Sequence, residues 1–120
     1  MLILLHLQKY FTHLKSSVSM FIHHVFFTLK NKNSAADKAA LIEGLESMRT
    51  IPRVRMLHVG IPAATDRAVI DRSYSVSWLL VFDNLEDEEV YQHHPTHRAF
   101  VERCKHLWEK VVVYDAENAF

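Results

Sequence analysis

The stretch YQHHPTHRAF, Tyr91 to Phe100, puts three of the chain's nine histidines within five positions, with a proline among them. Imidazoles can hold a metal ion or move protons, because the free group titrates at about 6.5. His93 and His97 have the i, i+4 spacing of zinc motifs. That spacing works only on an unbroken helical turn, and Pro95 disfavours helical geometry at His94. Neither an H-E-x-x-H glutamate nor a cysteine pair accompanies them. The pattern points to acid–base use, and no metal ligand is assigned.

His97, Phe100, Val101, Cys104, Leu107 and Trp108 recur at helical spacing, so His97 belongs to the stripe that faces the interior. A lone core histidine is usually just a hydrogen-bonded packing residue. Here a neutral imidazole would also be a usable base, and Tyr91 offers a phenolic donor nearby. On one continuous helix the two would lie about 240° apart, on different faces. Two helices meeting at Pro95 can instead turn Tyr91 and His97 into one cavity, with His94 capping or orienting the second helix. Cys104 reads as inert core packing.

The chain must supply elements that position this corner. Its 120 residues are one domain's worth, and 14 basic residues balance 14 acidic ones. No global field therefore draws in nucleic acid or a membrane surface. The charge is uneven: residues 1–58 hold eight Lys/Arg against three Asp/Glu, and the rest hold six against eleven. A single cysteine excludes an internal disulfide and fits a reducing, cytoplasmic setting. No apolar run approaches a membrane span. Residues 1–19 read as an extension outside the fold, a helical or disordered leader. Ile3, Leu7, Tyr10 and Leu14 have helical spacing. A secretory signal is not expected, since the apolar LILL is short and no A-x-A site follows.

From Met20 the elements separate. MFIHHVFFTLK reads as a strand with Ile22, His24, Phe26 and Thr28 on one face and Phe21, His23, Val25, Phe27 and Leu29 on the other. Adjacent His23 and His24 thus cannot both enter one pocket. His24 is the candidate partner of His97 if the helices cover its face. Ser34 and Asp37 open a helix running to about Arg49, with Leu41, Ile42, Leu45 and Met48 as its apolar stripe. VRMLHVGI is a second strand, PAATDRAVIDR a loop, and SYSVSWLLVFD a third strand with Tyr74, Val76, Trp78, Leu80 and Phe82 on one face. LEDEEVYQH is a short helix whose acids read as a solvated first turn. A second helix runs from Pro95 to about Glu109, and KVVVYD is the last strand. Phe26, Trp78, Leu80 and Trp108 read either as core or as walls of a flat apolar pocket.

The order β-α-β-β-α-β is the split βαβ, ferredoxin-like arrangement: an α+β fold with a four-stranded antiparallel sheet and helices on one face. Strands apolar on both faces then predict that a second copy covers the other face, giving a homodimer with sheets packed together.

HHVFFTLK, the strand ending in Gly60, YQHHPTHRAFV and the closing WEKVVVYD together resemble the stress-responsive α/β-barrel family, or Dabb proteins, over residues 20–117. The most specific part is Y-x-x-H-P-x-H: Tyr91, His94, Pro95 and His97. The resemblance implies a dimeric α+β barrel and, by way of a plant branch of polyketide cyclases, an intramolecular aldol step without a cofactor. It also implies that His97 is the base, that Tyr91 binds a carbonyl oxygen, and that His24 matches a further family histidine. This chain has Val76 where the plant branch has a histidine, and its bulky Trp78 narrows the expected pocket. The expectation is a homodimer with a small apolar pocket for a carbonyl-containing molecule. The alternatives are a non-catalytic stress-response or ligand-binding module, and a monooxygenase or haem-binding protein of the related dimeric group.

Overall fold

The first strand shows how the sequence builds the sheet. In FIHHVFFTL the residues are bulky, β-branched or aromatic, which suits a pleated surface better than a helix, and they form β1, Phe21–Leu29. The computed structural model describes residues 19–120; the expected leader lies almost wholly outside them. After β1 come α1 (Ala35–Glu46), β2 (Met56–Gly60), β3 (Val76–Phe82), α2 (Leu85–His93), α3 (Pro95–Cys104), a 3-10 turn at Lys105–Leu107, and β4 (Trp108–Glu117).

Local chemistry sets the helix starts. The Ser34 hydroxyl accepts the Asp37 N–H at 3.0 Å at the head of α1, and the Asn84 side chain accepts the Asp87 N–H at 2.8 Å at the head of α2. Each such cap satisfies an N–H that has no partner within the helix, and is worth about 1 kcal/mol. Gly44 lets α1 approach α3 closely: a Cβ there would lie 2.5 Å from Cys104 Sγ.

The sheet order is β2-β3-β1-β4, antiparallel throughout. Register assigns the faces. Val25 pairs with Trp78 on one side and Val113 on the other, and Trp78 pairs with Val59. This row and its neighbours face the helices, where Phe27, Leu29, Leu41, Leu45, Val76, Leu80, Phe82 and Phe100 are buried in one core. Burying each such side chain stabilises the fold by roughly 1.5–3 kcal/mol before entropy is charged.

Three expectations are corrected. The helices cover the His23 face of β1, so His24 and Phe26 lie on the opposite, open face and do not join the helix-side cavity. The second helix stops at Cys104, not Glu109; Trp108 is the first residue of β4, paired with Leu29 across a register shift at Thr28/Leu29. Tyr74 precedes β3, so the strand's alternation does not reach it, and its ring packs on Phe26 at 4.9 Å.

Candidate functional site

The corner between α2 and α3 positions the site. At His94 the backbone is extended, φ −65° and ψ 138°, between two helical segments. That break is what a residue before proline favours. Pro95 opens α3, where its missing N–H costs nothing. The Nδ1 of His94 accepts the Thr96 N–H at 3.1 Å, so this imidazole caps the helix and does not enter the cavity. His93 is exposed at the end of α2, off any continuous turn with His97.

The bend brings Tyr91 and His97 together, with ring centroids 4.8 Å apart in an edge contact. Both line a cavity of about 190 Å³ between the helices and the sheet. Its walls are mostly apolar, including Val25, Phe27, Phe100, Trp78 and Trp108, with His23 and Gln92 as further polar members. Val111 and Val113 of β4, 39% and 45% exposed, mark its open side. Leu80 is buried in the core on the same face but does not line it. A larger cavity, about 410 Å³, lies between the start of β1, the head of α2 and the end of β4. It holds no histidine, so its size is no argument for chemistry.

Burial lowers the pKa of His97 below the ordinary histidine value, and the nearby His23 lowers it further. His97 is therefore neutral at neutral pH and able to accept a proton. The Tyr91 hydroxyl is pushed the other way, chiefly by burial, which keeps it a protonated donor. It accepts the Trp78 indole N–H at 2.9 Å and turns its own proton to the Met48 sulfur at 3.8 Å. A thioether is a weak acceptor, so a carbonyl oxygen reaching this hydroxyl would displace it. The indole N–H also polarises the O–H beyond it.

Sequence reasoning missed the second imidazole. His23 is 5% exposed and lies on the helix side. Its Nδ1 meets Asp115 Oδ1 at 2.6 Å, and Glu88 lies 3.6 Å from the same nitrogen. The Gln92 amide nitrogen donates to Glu88 at 2.8 Å and sits 3.4 Å from His23 Nε2. Since the amide nitrogen donates to the Glu88 oxygen, the amide's NH2 faces both partners. Nε2 is then the acceptor, and Nδ1–H donates to Asp115. Glu88, read as part of a solvated first turn, is 6% exposed. Its position one turn before Gln92 was the available signal, since i, i+4 side chains meet. Cys104 is buried and packs against α1. Among the described residues no group of three or more His, Cys, Asp or Glu side chains is arranged to hold a metal ion, and no helix is long and apolar enough to cross a membrane.

Comparison with known proteins agrees with this architecture. A Dabb-family protein with a ferredoxin-like fold from Mesorhizobium loti superposes with TM-score 0.66 at 26% identity, covering 82% of this chain and 95% of the other. A dimeric ferredoxin-like protein of unknown function from Thermobifida fusca gives 0.68 at 18% identity, covering 84% and 92%. The hydroxynitrile lyase of Passiflora edulis gives 0.68 at 21% identity, covering 84% and 95%. No curated protein matches the chain. The model of the stress responsive A/B barrel domain matches residues 21–118, so the chain belongs to the Dabb family.

Proposed function

We propose that the chain forms a homodimer through the open sheet face, and that each subunit's helix-side cavity binds a small carbonyl compound and moves a proton on it without a cofactor. The carrying observation is the Tyr91–His97 pair in one mostly apolar cavity, 4.8 Å ring to ring. His97 would take a proton from the carbon next to the carbonyl, while the Tyr91 hydroxyl donates to the oxygen as negative charge develops there. A positioned base contributes roughly 10²- to 10⁴-fold, and a buried donor to the oxyanion a similar factor. His23, held by Asp115 and Gln92, adds a second imidazole to the polar side. The neighbour that is a hydroxynitrile lyase shows that this fold can host a lyase.

The open face supports the dimer. Ile22, Phe26, Leu79 and Val112 are only half-buried on it, and Met56 and Tyr114 are 56% and 66% exposed. A sheet face this apolar is stabilised by a second layer, and sedimentation should report a particle of twice the 14.0 kDa chain.

The test of the chemistry is exchange of the acetophenone methyl protons in D2O, followed by proton NMR. The wild type should accelerate exchange and His97→Gln should lose at least about 100-fold of that acceleration. Exchange that is not accelerated, or is unchanged in H97Q, rejects the reading. A binding-only role is the second reading, favoured by the internal bonds of the Tyr91 hydroxyl to Trp78 and Met48. It predicts ketone binding without exchange.

A further inference from the structure

The cavity has one closed end. One cross-strand row runs Val113, Val25, Trp78, Val59 from β4 inward to β2. The cavity is lined by the first three of these and stops there, with no residue of β2 in its wall. Trp78 is 1% exposed, and its indole is tied by its N–H to the Tyr91 hydroxyl. The indole therefore cannot swing aside without leaving a buried N–H unpaired.

We infer that Trp78 sets the specificity of the site, admitting only compounds whose carbonyl is terminal: an aldehyde or a methyl ketone at the end of a flat apolar body. This rests on the carbonyl site proposed above. A carbonyl oxygen bonded to Tyr91 lies beside the group that Tyr91 itself holds, the indole of Trp78. The substituent on the inner side of the carbonyl carbon then meets that ring, and only hydrogen or methyl fits. The outer substituent runs past Phe27 and Trp108 toward Val111 and Val113, where the cavity opens. Volume agrees, since an apolar cavity of about 150 Å³ takes up benzene and this one, about 190 Å³, holds one ring with a small carbonyl group.

Two isomers test the direction of the limit with composition held constant. In 4-ethylacetophenone the added carbons point outward; in isobutyrophenone they sit on the inner side of the carbonyl. Binding is read by titration of the wild type, with the His97 imidazole resonance reporting occupancy of this cavity. 4-Ethylacetophenone should bind about as well as acetophenone, and isobutyrophenone at least about tenfold more weakly. Trp78→Val should erase the difference. Should that variant not fold, Trp78→Phe, which keeps a smaller ring, should narrow it. Equal wild-type affinity for the two isomers, or a ratio unchanged in the Trp78 variants, overturns the inference and leaves the carbonyl site standing. If acetophenone itself does not perturb His97, the site reading fails and the inference falls with it.

Discussion

The rings of Tyr91 and His97 meet edge to face at 4.8 Å although they belong to different helices. The extended backbone at His94 makes this possible, because a continuous helix would send the two side chains to different faces. The proline that argues against a metal-binding helix turn is thus the residue that brings the proposed acid–base pair together.

Tyr91→Phe tests the proposed donor. It removes the donor to the carbonyl oxygen while keeping the ring against His97. Proton exchange on acetophenone should fall by about 10²-fold. The change also leaves the buried Trp78 N–H without its acceptor, so stability should drop by about 1–3 kcal/mol in denaturant titration. A variant as active as the wild type would remove Tyr91 from the mechanism.

The pH dependence has a fixed sign. His97 and His24 both have pKa values lowered chiefly by burial. His58 lowers that of His24 further, and His23 contributes to both. The fold therefore favours the neutral rings, and the unfolded chain binds more protons in acid. This contribution is fully present above about pH 6.5 and is lost as pH falls through the lowered values. Melting temperature should fall on acidification from about pH 7 to pH 5, and the exchange rate should rise with pH to a plateau, with its midpoint below about pH 6.5. Stability rising toward acid, or a rate midpoint above that value, would contradict the assignment.

Asp115→Asn tests the His23 arrangement. Nitrogen chemical shifts of His23 in the wild type should report a proton on Nδ1, facing Asp115 at 2.6 Å. In the variant the preference should weaken, with a stability loss of about 1 kcal/mol because the carboxylate is partly solvated. A wild-type ring protonated on Nε2 alone would show that Gln92 and Glu88 are arranged differently.

Much of this was legible in the chain. The capping pattern at Ser34, the alternation in β1 and β3, and Pro95 as a helix start all rest on local rules. The failures share one cause, which is that partners distant in sequence decide them. Alternation separates His23 from His24 but cannot say which face the helices take; the packing of Trp78, Leu80 and Phe82 on β3 decides it. Asp115 reaches His23 only through the β1–β4 register. Trp108 continued the helical spacing, and was drawn into β4 by pairing with Leu29. Glu88 looked like one solvated acid among several until α2 laid it against His23.

The most direct test of the central claim is a crystal structure with acetophenone bound. The ketone should lie between the helices and the sheet, its oxygen within about 3 Å of the Tyr91 hydroxyl and its methyl carbon beside the His97 imidazole. A ketone seated on the open sheet face, or bound with its oxygen turned toward Val111 and Val113, would contradict it.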